Sequence, residues 1–303
     1  MVARSCLGTT DRALPYFDQL LQRLEAGDDC LGRRFGRHVH WGYWDQPRID
    51  SAQAWAGFAE AAEALSLRLL HQARIRDGER VLDVGCGLGG TIACLNAGWQ
   101  HLVLTGVNLD PRQIAVARRS VVARAGNSMA WLVADACDLP LPAASQDVVL
   151  AVECIFHFPA RERFLAEVRR VLRPGGRLVL SDFVPVPPLA WLLRLLAAGR
   201  SAQVFNRTYG PVDCSWDCRR YARQARRHGL RLVGNDDITV NTLPTYGVVA
   251  RLFEAMDLPT AVADTAAIER LSRWRWLRYR ILQFALEDDG QPIWSEHPIP
   301  GRG

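Results

Sequence analysis

The stretch Val81 to Gly90, VLDVGCGLGG, constrains this chain more than any other, because it reads as a buried strand running straight into a glycine turn and then a helix. Val81, Leu82 and Val84 make the short apolar run of a strand covered on both faces. Gly85, Gly87, Gly89 and Gly90 then allow bare backbone to approach a ligand. A helix beginning near Thr91 would aim its first N–H groups into the same crevice.

Around that stretch, strand and helix alternate. Strands are expected at His101–Asn108, Met129–Ala134, Asp147–Val152 and Arg177–Phe183, with helices at Thr91–Ala97, Pro111–Ala125 and Arg161–Leu172 between them. Such alternation predicts an α/β fold with a mostly parallel, doubly wound sheet and ligands at the carboxyl ends of its strands. Before the first strand lie a helix over 13–27, an aromatic and histidine cluster RHVHWGYW at Arg37–Trp44, and a long helix over Ser51–Ala73. After Asp182 the pattern breaks into helices over Leu189–Arg207 and Cys218–His228, a sixth strand Arg231–Val240, a mostly helical stretch Leu243–Leu277 and a last strand Arg278–Leu286. Four segments follow: an N-terminal helical lid over 1–75, a cofactor-binding core over 76–188, a helical substrate cap with the sixth strand over 189–277, and a final strand and tail over 278–303.

Composition excludes several classes. With 303 residues, 49% of them hydrophobic, the chain can bury one large core plus a cap. All 37 basic residues are arginine and the net charge is only +5, which resembles a codon bias more than a nucleic-acid footprint. The first residues lack an apolar core for a secretory signal, and the longest apolar run, Pro187–Gly199, is broken by Arg194. Eight scattered cysteines, with only Cys214 and Cys218 close together, predict a reduced cytoplasmic protein without a metal site.

Two cofactor classes use a glycine turn of this kind. Gly85, Gly87 and Gly90 satisfy the dinucleotide pattern G-x-G-x-x-G, but a nicotinamide fold wants an acidic residue at the end of the second strand, where Asn108 stands. Asp83, Gly85, Gly87 and Gly89 also fit D-x-G-x-G-x-G, and GVNLDPRQ, Asp135-Ala136, SQDVVLAVE and LRPGGRLVLSDF follow in order up to Phe183. In these segments the chain resembles the class I methyltransferases that use S-adenosyl-L-methionine (SAM). HWGYW, VECIFHF and ITVNTLPTY resemble their small-molecule branch, the macrolide, sterol and tocopherol enzymes. The resemblance implies a seven-stranded Rossmann-like sheet. It makes Asp83 a cofactor-binding residue and places Gly85 and Gly87 at the methionine portion of SAM, Asn108, Leu109 and Gln113 around the ribose, and Asp135 with Ala136 at the adenine. Asn108 and Asp110 depart from the commoner acidic residue and serine. The cluster around Tyr43 is either a cofactor lid or a loop packed on the core by its aromatics.

The implied reaction is methyl transfer to a small-molecule acceptor, in which alignment and exclusion of water carry the catalysis. His157 resembles the general base of related sugar methyltransferases, Asp182 its carboxylate partner, and Glu153 a glutamate that prenyl-diphosphate and sterol C-methyltransferases set against a carbocation. O-methylation with His157 as base is expected. The alternative is C-methylation of an isoprenoid diphosphate held by arginines such as Arg194, Arg200 and Arg207, and a SAM-binding protein without turnover is the rival outside catalysis. Trp191, Phe205, Tyr209, Tyr246 and Phe253 are candidates to line the acceptor pocket. No nucleic-acid partner is expected, since VECIFHF stands where an N-P-P-[YF] motif would be and the Arg270–Arg280 cluster reads as arginine stems over apolar surface. Stable membrane insertion is not expected, and a homodimer is left open.

Overall fold

The computed structural model of the chain describes residues 18, 36–197, 210 and 212–287. Its centre is strand β1 (Arg80–Val84), which pairs in parallel with β2 (Val103–Asn108) on one side and β4 (Gln146–Val152) on the other. With β3 (Ser128–Val133), β5 (Leu172–Pro185), β6 (Leu230–Asp237) and β7 (Leu277–Leu286), these form one open sheet in the order β3-β2-β1-β4-β5-β7-β6. β7 runs antiparallel to both β5 and β6, between which it is slotted.

Alternation along the strands builds two cores. Leu82 and Val84 of β1, Val149 and Ala151 of β4, and Leu178 and Leu180 of β5 join one buried cluster. Val81, Val148, Leu150 and Val179 face the other way into a second. Successive strand residues point to opposite faces, so a continuous apolar run is what a doubly covered strand requires. Truncating one of these fully buried leucines to alanine would cost about 2–5 kcal/mol.

Helices α1 (Ser51–Ala56) and α2 (Phe58–Ala73) precede β1. The single helix expected over Ser51–Ala73 is divided at Gly57, a poor helix former, and α1 opens with its own capping box between Asp50 and Gln53. Between strands run α3 (Gly90–Gly98), α4 (Pro111–Ser120) and α5 (Arg161–Val171). Helix α4 starts as expected at Pro111, capped by the Asp110 side chain, and ends earlier than Ala125.

Helix α6 (Pro187–Ala197) covers the first part of the stretch expected to be helical to Arg207; residues 198–207 lie outside the described residues, as does the expected helix over 13–27 apart from Asp18. Helix α7 (Cys218–Arg227) leads into β6, and α8 (Thr239–Thr242), α9 (Pro244–Ala255) and α10 (Pro259–Arg273) connect β6 to β7. A proline at the start of both α9 and α10 divides the long helix expected there. A third cluster ties Trp44, Phe58 and Ala61 to Val248, Leu252 and Phe253, so α9 is packed against the N-terminal elements. No helix among the described residues is long and apolar enough to cross a membrane.

Candidate active site

The carboxyl ends of β1 to β4 open into one cavity of about 800 Å³. Asp83, Gly85, Gly87, Asn108, Leu109, Gln113, Asp135, Ala136, Glu153 and His157 all line it, which brings together most of the residues singled out in the sequence. Parallel strands place their C-terminal loops on one edge of the sheet, and that shared edge collects residues far apart in the chain.

At the glycine turn, Gly85, Gly87 and Gly89 have φ of +66°, +53° and +85°. A Cβ on Gly87 would meet the Val39 side chain at 2.9 Å, and one on Gly90 would meet the His38 ring at 2.4 Å. The N-terminal segment thus lies directly over the turn. Asp83, 1% exposed, has both carboxylate oxygens buried without a hydrogen-bond partner. Burial pushes its carboxyl up to about 8. An orphaned carboxylate facing a cavity suits a ligand that brings its own positive charge and N–H donors.

The second strand ends in an amide pair. Asn108 Nδ2 donates to Gln113 Oε1 at 2.9 Å, and Asn108 Oδ1 accepts the Asp110 N–H at 3.0 Å. This leaves the Gln113 NH2 group and one Asn108 N–H to face the cavity. At the end of β3, Asp135 Oδ1 accepts the Cys137 N–H at 2.9 Å.

The aromatic and histidine segment divides its duties. Arg37, His38, Val39 and His40 line the cavity, whereas Tyr43 does not. The Tyr43 hydroxyl accepts from Arg68 at 3.1 Å, with the Arg68 guanidinium 4.7 Å from its ring centre, so the residue belongs to the α2 face and not to the cofactor crevice. His40 Nδ1 lies 2.9 Å from the Trp41 carbonyl, which can only accept, so Nδ1 carries the proton and Nε2 accepts from His38 or Ser66. Burial holds both imidazoles well below the usual histidine range, His40 at about 4. Two neutral histidines at 3.1 Å fasten the segment to α2 and α3.

On the acceptor side, β4 ends at Glu153, a non-glycine residue with φ of +50°. His157 follows in a short 3-10 turn, its ring 4.4 Å from that of Phe156. Asp182 does not line the cavity. Its carboxylate accepts from Arg161 at 3.0 Å, from the Tyr221 hydroxyl and from the Phe183 N–H at 2.8 Å. Arg161 in turn donates to the Asp213 carbonyl, and Asp213 does line the cavity. The expected partnership of Asp182 with His157 is therefore replaced by an internal anchor for the cavity wall.

Of the expected lining aromatics, Tyr246 and Phe253 are core residues and Trp191 is 60% exposed. Phe205 and Tyr209, with Arg200 and Arg207, fall outside the described residues. Ser181, Arg161, Asp213 and Tyr279 were not legible as site residues. Among the described residues no group of histidine, cysteine and carboxylate side chains could hold a metal ion.

Residues 82–180 match the methyltransferase domain family. Over 243 residues, 80% of this chain and 84% of the relative, the sequence is 34% identical to the 27-O-demethylrifamycin SV methyltransferase of Amycolatopsis mediterranei (strain S699). The chain belongs to the class I SAM-dependent methyltransferases. A second relative of this methyltransferase, methyltransferase GfsG of Streptomyces halstedii, is 32% identical over 81% of each chain. Among solved structures, geranyl diphosphate C-methyltransferase from Streptomyces coelicolor A3(2) shares the fold with a TM-score of 0.66 at 19% identity, covering 91% of this chain and all of that one. The methyltransferase takes SAM as its cofactor.

Proposed function

We propose that the methyltransferase O-methylates a hydroxyl of a small secondary metabolite, with His157 as the proton acceptor. The observation that carries this reading is that His157 and Glu153 line the same cavity as Asp83 and the glycine turn. SAM, when bound, supplies an electrophilic methyl group on a sulfonium. Asp83 would neutralise its ammonium, the Gly85–Gly87 backbone would sit against its methionine portion, the Asn108–Gln113 pair with Leu109 would bind the ribose, and Asp135 with Ala136 would flank the adenine. Segment 37–40 would cover this end and exclude water, which matters because an in-line displacement is governed by alignment and desolvation. An imidazole at the cavity wall is suited to receive the hydroxyl proton near neutral pH.

The relative named for 27-O-demethylrifamycin SV makes a hydroxylated macrocycle the first acceptor to try. With an acceptor in hand, His157→Ala should remove the acid limb of the kcat profile while leaving S-adenosylhomocysteine affinity unchanged. An unaltered profile rules His157 out.

A second reading, C-methylation of an isoprenoid diphosphate, is favoured by Glu153, whose carboxyl burial pushes up to about 8 inside the cavity. Transfer to geranyl diphosphate that depends on magnesium, with none to hydroxylated macrocycles, would select it.

A further inference from the structure

Glu153 is held from three separate parts of the chain. Its N–H donates to Ser181 Oγ of β5 at 3.1 Å, and its Oε2 accepts both the Trp41 N–H at 2.9 Å and the Tyr279 hydroxyl of β7 at 2.5 Å. Tyr279, 1% exposed, also reaches Ser181 Oγ at 3.2 Å. Its ring packs edge-on against Phe183 at 4.8 Å, and Phe183 packs against Trp41 at 5.5 Å, so the phenol cannot swing away. The backbone donor and the phenol take the same oxygen, leaving Oε1 for the cavity that Glu153 lines. The left-handed backbone at Glu153 costs on the order of 1–3 kcal/mol, a strain the surrounding contacts must over-determine.

We propose that Tyr279 is a positioning residue for methyl transfer, acting through Glu153: it fixes the carboxylate so that Oε1 accepts a hydrogen bond from the acceptor's polar hydrogen and orients it for proton transfer to His157, while the Trp41 amide makes this arrangement conditional on the N-terminal segment being in place. The acceptor class this selects carries an O–H or N–H at the methylated centre. Each donor to Oε2 favours the charged carboxylate, so losing either makes Glu153 hold its proton to higher pH. Burial raises the Glu153 proton affinity, Tyr279 and the Trp41 amide oppose that, and Asp182 of β5 adds repulsion. The other ionisable neighbours are Cys154, next in the chain, and His157 on the same cavity wall.

The inference rests on the methyl-transfer reading, but its test needs no acceptor. Protein labelled with [5-13C]glutamate and saturated with S-adenosylhomocysteine is titrated by NMR, the Glu153 carboxyl signal being assigned with Glu153→Gln. Tyr279→Phe should raise its midpoint by about one pH unit, a tenfold gain in proton affinity, with S-adenosylhomocysteine affinity unchanged by calorimetry. Replacing Tyr279 by 3,5-difluorotyrosine, a stronger donor of the same shape, should lower the midpoint and serves if the phenylalanine variant does not fold. A midpoint that stays fixed overturns the role of Tyr279 and leaves O-methylation standing. Shifted midpoints in a protein that transfers no methyl group to any hydroxyl or amine overturn the reaction itself, and Tyr279's part in it.

Discussion

Asp182 accepts the Arg161 guanidinium at 3.0 Å, and both side chains are buried. The pair joins β5 to α5, and Tyr221 of α7 completes it. Burial raises the proton affinity of Asp182, with Arg161 and Tyr221 opposing it. Arg161→Met should therefore leave an uncompensated carboxylate and cost about 3–5 kcal/mol in urea unfolding. If Asp182 served the acceptor directly, Arg161→Met would instead alter turnover with little change in stability.

Asp83→Asn tests the orphaned carboxylate. Above pH 4 an unfolded Asp83 is charged, whereas the folded residue holds its proton up to about 8, so its burial removes stability progressively between those values. The cofactor-free variant should melt above the wild type at pH 8, the gap closing toward pH 4. S-adenosylhomocysteine binding by calorimetry should weaken about tenfold or more, the loss of one charge-assisted contact.

Gly87→Ala should abolish cofactor binding in a folded protein. Its φ of +53° disfavours a side chain, and the added carbon would press on Val39 at 2.9 Å, lifting the N-terminal segment from the turn. Normal circular dichroism with no calorimetric signal for S-adenosylhomocysteine is the expected result, and retained tight binding would contradict it.

Four buried groups with large shifts contribute to the pH dependence of stability. His38 and His40 are held below the ordinary histidine range, so each contributes stability above about pH 6.5 that is lost as the pH falls. Asp83 and Glu153 are raised to about 8, and each loses stability as the pH climbs from about 4 toward 8. Between pH 4 and 6.5 the pairs offset. Above pH 6.5 only the acids act, at up to about 1.4 kcal/mol per pH unit each. Chemical denaturation of the cofactor-free protein should show stability falling from pH 6.5 to 8, and Asp83→Asn should flatten that fall.

The parts of the site that were legible in the sequence lie in the turns that end β1, β2 and β3. There the cavity-lining residues sit within a few positions of a strand end, and the spacing itself brings Asp83, Gly87, Gln113 and Asp135 to one cavity. Asp182 and Tyr43 were misplaced for a different reason. Both stand beside residues that line the cavity or its supports, but which neighbour an individual side chain meets depends on partners distant in sequence, Arg161 and Tyr221 for one and Arg68 for the other. Tyr279 left no local signal, since its partner Glu153 is 126 positions away and WLRYR reads as an ordinary strand start with arginine stems over apolar surface. Tyr246 and Phe253 stand as candidate pocket walls in the sequence because helical aromatic spacing does not distinguish a cavity wall from the buried packing in which both lie.

The position of β7 bears on when the enzyme can start work. Among the described residues β6 is hydrogen-bonded to no strand except β7, and β7 carries the phenol that grips Glu153. During synthesis β1 to β5 can emerge and pair first, while the edge strand waits with its ladder unpaired and prone to mispairing. A nascent chain ending before Leu277 would thus present the glycine turn while still lacking the phenol that holds Glu153.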